Sequence, residues 1–179
     1  EIDFSRRMII NATPDVEQMI RRDLAGQLAS GVDAAAISGA VGGDNPVGVL
    51  NQTGINTVDF TAGLSWALVL DMIQAVAEDK ALMGNLGFVT SPKFVAAARA
   101  TVRAPLTEQL LMESASSLAD YRLIQTTHAP DDIGATDTCL LFGNWNDLFV
   151  GYWSGIDITP NPYHAAVYSS GGVRINAFL

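Results

Sequence analysis

The glycine-rich stretch Gly39-Ala40-Val41-Gly42-Gly43, followed by Asp44-Asn45-Pro46, has the composition of a phosphate cradle. A cradle needs glycine N–H groups leading into a helix, with a Lys and a Ser or Thr for a nucleotide. Here the glycines follow a helical pattern and no Lys is near, so the stretch reads as a turn that uses glycine's conformational freedom. His128, His164, Asp131, Asp132, Asp137 and Cys139 are the metal-ligand types. His128-Ala129-Pro130-Asp131-Asp132 has neither tetrahedral zinc spacing nor the alternating oxygens of a calcium loop, so it reads as a solvated loop. Cys139 precedes the apolar run Leu140-Leu141-Phe142 and reads as a buried thiol, not a nucleophile. Glu108, Glu113 and Asp120 could serve acid–base chemistry, but only burial or a close like charge would tune them, and a solvated face is the simpler reading. No serine stands in a Gly-x-Ser-x-Gly elbow. Trp145, Phe149, Tyr152 and Trp153 could stack on a ligand, yet at strand spacing they read as core or interface. The residues therefore assign no catalytic, cofactor-binding or metal position, and the expectation is that the chain is not an enzyme.

The elements that would position these residues follow from periodicity. Ile2 to Ile10 leans toward β structure, with Ile2, Phe4, Met8 and Ile10 on one face. Thr13-Pro14-Asp15-Val16-Glu17 supplies a capping hydroxyl, a proline at the first helical position and carboxylates at the positive end of the helix dipole. Val16, Ile20, Leu24, Leu28 and Val32 then recur every four residues, with Met19 alongside, and nothing interrupts the pattern before Gly39. A helix of about 25 residues is predicted, roughly 37 Å long. Gly39 to Thr61 reads as a long connection with a short strand. A second helix is expected from Ser65 to about Gly84, a buried strand at Gly87-Phe88-Val89-Thr90, and a third helix from Ser91-Pro92 through Val102. Leu106 to Ser114 is ambiguous. Five short strands follow, at Tyr121–Thr126, Cys139–Phe142, Leu148–Trp153, Gly155–Thr159 and Gly172–Phe178. Helices first and strands after point to α+β.

The 179 residues are 49% hydrophobic and 16% charged, which excludes a disordered chain. Ten Lys and Arg against nineteen Asp and Glu give a net charge of −9, which opposes nonspecific binding to phosphate backbones. One cysteine permits no internal disulfide and fits a reducing setting. The longest stretch without a charged residue, Ile158 to Val173, is too short for a membrane helix and contains Pro160 and Pro162. The acidic opening Glu1-Ile2-Asp3-Phe4 is no leader peptide and reads as a point inside a longer polypeptide.

Order and spacing of several motifs carry a resemblance. Thr13-Pro14-Asp15-Val16-Glu17 through Gly39 resembles the long spine helix of tailed-phage major capsid proteins of the Hong Kong 97 type. Asn45-Pro46-Val47-Gly48-Val49-Leu50 resembles the turn after that helix, and Phe88-Val89-Thr90-Ser91-Pro92 the strand-to-helix step of the axial domain. Phe142-Gly143-Asn144-Trp145 resembles the family's Gly-Asp-aromatic turn, with Asn144 where Asp is usual. Asp157 to Tyr163 and Gly172 to Phe178 resemble the closing strands. The resemblance implies a peripheral domain at residues 1–49 and 154–179 with the spine helix, and an axial domain at 50–153. It implies a structural subunit of an icosahedral viral or prophage shell, lacking most of the N-terminal arm and extended loop. The implied partners are copies of itself in pentamers and hexamers, with portal or scaffold proteins, and without membrane or sequence-specific nucleic acid. The implied location is a virion capsid made in the host cytoplasm. No extended-loop Lys exists in this segment, so no cross-linking residue is carried over. The Gly39–Thr61 connection and the His128–Thr138 loop are expected at subunit contacts, bulky residues at Ala34 or Ala35 are expected to impair folding or assembly, and this segment alone is expected to stay a monomer or small ring. An encapsulin-like compartment shell has the same architecture, and a hydrolase using Glu108, Glu113 or Asp120 is the alternative from another class.

Overall fold

The computed structural model describes residues 1–5, 7–8, 16–42, 46–60, 63–104, 108–131, 138–152 and 155–178. The chain divides into two compact units, one formed by Glu1–Asp33 with Gly151–Leu179 and the other by Ala34–Val150.

In the first unit, β1 (Ile2–Ser5), β6 (Asp157–Asn161) and β7 (Gly172–Phe178) form an antiparallel sheet in the order β1-β7-β6. The register pairs Ile2 with Ile175 and Phe4 with Val173, so one face alternates apolar residues and the other carries Asp3, Arg174 and Asn176. Helix α1 (Val16–Ser38) supplies Val16, Ile20 and Leu24 to a core with Phe4 and Ile175. The four-residue repeat thus buries its first half, while Leu28 and Val32 are half-buried. Met19, expected on the same side, is 51% exposed. The opening strand is shorter than its composition predicts, because Met8 N–H donates to the Ser5 hydroxyl at 3.3 Å and turns the chain. The expected helix start at Thr13-Pro14-Asp15 lies outside the described residues, as do Arg6, Ile9 and Ile10. A four-residue helix, α4 (Ala165–Tyr168), precedes β7 and buries Val167.

In the second unit a four-stranded sheet has the order β3-β4-β2-β5, with β2 (Leu86–Thr90), β3 (Ser117–Leu118), β4 (Tyr121–Gln125) and β5 (Leu140–Asn144). Strands β2 and β4 are parallel, which requires a crossover, and α3 (Pro92–Ala100) provides it. One βαβ step is therefore set into an otherwise antiparallel α+β arrangement. Ser91 caps α3 by accepting from Phe94 N–H, with Pro92 at the first position as the Ser-Pro pair predicts. Helix α2 (Trp66–Glu78) is capped in the same way by Ser65. It stops at Glu78, short of the expected Gly84: Lys80 takes φ 58° and Ala81 N–H donates to Val76 O, a left-handed helix end on a lysine.

The core of this unit gathers Val69, Phe88, Phe94, Val95, Ala98, Leu111, Met112, Leu118 and Leu123. Phe88 is wholly buried, with ring centroids 4.5 Å from Phe142 and 6.3 Å from Tyr121. Buried Thr90 donates its hydroxyl to Cys139 O at 2.6 Å, so the one fully buried hydroxyl of β2 is satisfied. Two sequence expectations fail here. The 39–61 connection holds a 3₁₀ turn at Val49–Asn51 and no strand among its described residues. Leu148–Tyr152 is irregular rather than a strand, and Trp153 lies outside the described residues. The ambiguous segment resolves as extended: Leu110 bridges Val102, and Leu111 N–H donates to Thr101 O, while Leu106 lies outside the described residues.

Candidate functional site

Three polar constructions stand out, each built from residues with a definable geometric task. The first is at the end of α1. Gly39 N–H donates to Ala35 O at 2.9 Å, Gly48 N–H returns to Gly39 O at 3.0 Å, and the Asn51 amide donates to Gly39 O at 2.7 Å. Carbonyls that a helix end leaves open are thereby satisfied. A side chain at Gly39 would meet Ala35 O at 2.6 Å, and one at Gly48 would meet the Ile37 backbone at 2.7 Å, so both glycines are fixed by close backbone approach. The glycine stretch therefore ends a helix, as its position after the apolar pattern predicts; Gly43, Asp44 and Asn45 lie outside the described residues.

The second construction is centred on Asn144. Its Oδ1 accepts from Asn85 N–H at 2.9 Å and Asn146 N–H at 3.2 Å, and its Nδ2 donates to Asp147 Oδ2 at 2.7 Å. Trp145 N–H donates to Asn85 O at 3.0 Å, and its indole N–H donates to Gly87 O at 2.9 Å. A side chain at Gly84 would meet Asn144 Oδ1 at 2.6 Å. The turn after β5 is thus fastened to the turn before β2. Asn is the chemically required residue: it accepts and donates at once, whereas Asp would set a second carboxylate against Asp147.

The third lies on the polar face of the first unit's sheet. Arg174 grips Asp3 with two hydrogen bonds of 2.6 Å, Nε to Oδ1 and Nη2 to Oδ2, with Glu1 3.4 Å from Nη1. The hydrogen bonds from Arg174 hold the Asp3 carboxyl below its ordinary range, against the opposing effect of partial desolvation. His164 Nδ1 accepts from Ala166 N–H and so caps α4, while its Nε2 lies 3.3 Å from Arg174 Nη1.

The residues singled out for chemistry form no shared construction among the described residues. Glu108 and Glu113 are exposed. Asp120 is also exposed, and with Ala119 it takes positive φ, 67° and 49°, in the two-residue turn joining β3 to β4. Among the described residues these three carboxylates share no hydrogen bond or ion pair. Cys139 is buried, and burial pushes its thiol up to about 11. His128 donates its backbone N–H to the Thr126 hydroxyl, and Asp131 O accepts from Lys93 Nζ. Asp132 and Asp137 lie outside the described residues. Of the aromatic set, Trp145 packs and hydrogen-bonds, but Phe149 is 89% and Tyr152 61% exposed. Exposure takes Phe149 and Tyr152 out of the core half of the core-or-interface expectation, and the strand spacing behind it is absent, since 148–152 is irregular.

The phage capsid family model matches residues 2–177. Over 177 residues the chain is 23% identical to the major capsid protein of Halomonas phage phiHAP-1, covering 99% of this chain and 28% of that protein. It is similar to the capsid chain of an empty GTA particle computed with C5 symmetry: TM-score 0.72, 24% identity, 98% of this chain and 64% of that one. A Gordonia phage Cozz structure aligns at TM-score 0.61 and 19% identity, over 97% of this chain and 61% of that one. The chain thus spans less than two thirds of each of these relatives.

Proposed function

The chain belongs to the phage capsid family and carries its Hong Kong 97-type fold, and from that premise we propose that it is a major capsid subunit whose copies close a protein shell. The observation that carries this reading is the match of the family model over residues 2–177, so that both compact units, not one alone, are accounted for. In this reading residues 1–49 and 154–179, with the spine helix, serve as the peripheral domain and residues 50–153 as the axial domain, a division that the two compact units support in outline. Copies meet in pentamers and hexamers, with portal or scaffold proteins as further partners, and the subunits are made in the host cytoplasm. The Gly39–Thr61 and His128–Thr138 segments contribute to subunit contacts. A net charge of −9 suits a shell that confines DNA without gripping its phosphates.

A tile needs shape and self-complementarity, not a reactive centre. The solvent exposure of Glu108, Glu113 and Asp120 and the buried thiol of Cys139 support that reading. The test is to fractionate cells carrying the gene and follow this chain by mass spectrometry. It should dominate a sedimentable, nuclease-resistant particle fraction that contains DNA. Recovery only as a low-mass soluble species would refute the shell, and particles filled with enzyme instead of DNA would favour the encapsulin-like alternative.

A further inference from the structure

We propose that the two turns fastened by Asn144 form a self-contact, in which Leu82, Met83, Leu148, Phe149 and Val150 of one copy pack against a second copy of the chain. The inference rests on the shell reading and names the surface through which it acts. Phe149 is 89% exposed, Met83 66%, Val150 51%, Leu148 43% and Leu82 40%. Isolated apolar side chains on a surface need no explanation, but these belong to two turns that the structure ties to each other. Asn85 N–H and the Asn144 amide link them directly, and Asn144 holds Asp147, the residue before Leu148.

The turn before β2, and its junction with Trp145, are ordered in advance. Ala81 N–H donates to Val76 O, Met83 N–H to Ala81 O at 2.8 Å, and Trp145 N–H to Asn85 O. A surface already held in one conformation loses little entropy when it is covered.

Charge selects the occupant. Residues 81–92 and 148–156 contain no Asp, Glu, Lys or Arg. Copies of a chain of net charge −9 repel one another over most of their surface, and an apolar patch bordered in sequence by Asp79, Lys80 and Asp147 is where two can approach at low electrostatic cost. A nucleic acid would meet the exposed carboxylates of Asp79 and Asp147 against the single cation of Lys80 at the edge of the patch. The five side chains expose roughly 500 Å², against about 800 Å² that each partner contributes to a standard interface. The patch is smaller than a standard interface, so it supports weak association of the chain alone and one contact among several in a many-copy array. A ring needs unlike surfaces to meet, so Phe149 faces a different part of the neighbouring copy.

The experiment compares the chain as it stands with Phe149→Ser and, as a control in the other unit, Phe178→Ser, by sedimentation velocity across a concentration series. Phe149→Ser should need at least about tenfold more protein to associate to the same degree, and Phe178→Ser should match the parent. Circular-dichroism melting should not move for Phe149→Ser, because the side chain is exposed. Independently, a photo-reactive benzoylphenylalanine at position 149 should cross-link to a second copy within sedimented particles. Unchanged association of Phe149→Ser, a chain that is monomeric throughout, or cross-links to its own chain or to another protein would each overturn the self-contact. The particle fractionation decides the shell reading separately, since particles that form without any role for Phe149 leave that reading intact.

Discussion

The unit of Glu1–Asp33 with Gly151–Leu179 and the unit of Ala34–Val150 are both a sheet with helical residues in its core, but they close over different distances in sequence. In the first, Asp3 and Arg174 are 171 residues apart, and every β1–β7 pairing has a similar reach. In the second, the longest strand pairing joins Leu86 to Asn144, and the βαβ step pairs Phe88 with Leu123. Long loops are entropically costly to close, and a second unit that folds first shortens the one the first unit must close. The cores differ accordingly. The first buries Phe4, Val16, Ile20, Leu24 and Ile175, while the second buries nine apolar residues, with partly buried Tyr121 and Phe142 packed against Phe88 among them. Their polar fastenings differ too, an ion pair in the first and a neutral amide in the second. The lesson is that one unit is closed by segments far apart in sequence and carries an ion-paired fastening, while the other closes over shorter loops and is fastened through an amide.

The largest effects should come from the cores. Phe88→Ala should cost about 3–5 kcal/mol and Ile175→Ala about 2–5 kcal/mol, from lost burial and the cavity left behind. Native-state hydrogen exchange separates them. Phe88→Ala should lower protection in β2, β4 and β5, whereas Ile175→Ala should act on β1 and β7 first. Equal loss in both units from either substitution would break the comparison.

Next is the neutral fastening. Asn144→Asp removes the donor to Asp147 and places two carboxylates together, for an expected loss of about 1–2 kcal/mol at neutral pH. The like charge raises a carboxyl pKa in the folded state, so the penalty is full above that value and disappears as pH falls through it toward the ordinary carboxylate range. Adding Asp147→Asn should restore most of the stability, by thermal melting at pH 7. If the double variant is no better than the single, the contact with Asp147 is not what requires an amide at 144.

A smaller change of opposite sign is expected at the end of α2. Lys80 at φ 58° occupies a conformation that glycine adopts without steric cost. Lys80→Gly should therefore gain about 0.5–1 kcal/mol, measured by denaturant midpoint at unchanged slope. A loss would mean that the lysine side chain contributes more than its backbone costs.

Much of this architecture was legible in residue order. The four-residue repeat of Val16, Ile20 and Leu24 and the Ser91-Pro92 cap act within one element, and local rules read them correctly. The glycine stretch was legible as a helix end because no cation accompanied it. What escaped was decided elsewhere in the chain. Nothing near Lys80 signals a left-handed helix end, since lysine is not a residue chosen for one. Leu148–Tyr152 has strand composition, but among the described residues no strand pairs with it, and composition does not distinguish a side chain buried in its own core from one left for a partner. The Asn144 fastening was visible as a family-like turn, yet the meaning of Asn over Asp required Asp147 to be seen beside it.

The smallest effect should be the most diagnostic of the charged fastening. Arg174 holds Asp3 below its ordinary value of 3.8, so Asp3 is the more acidic in the folded state. The stabilisation from such a group is fully present above the unfolded-state value and is lost as pH falls through the folded-state value. Asp3→Asn should therefore lower the melting temperature slightly at pH 7, and the gap from the parent should close below pH 3.8 as the parent's own carboxyl takes its proton. Screening by salt should shrink the gap at neutral pH, since Asp3 is exposed. Amides of β1 and β7 should report the change, and those of β2 and β4 should not. A gap that persists unchanged into acid would mean that Asp3 acts through packing or shape, and the contrast between a charged and an uncharged fastening would fall with it.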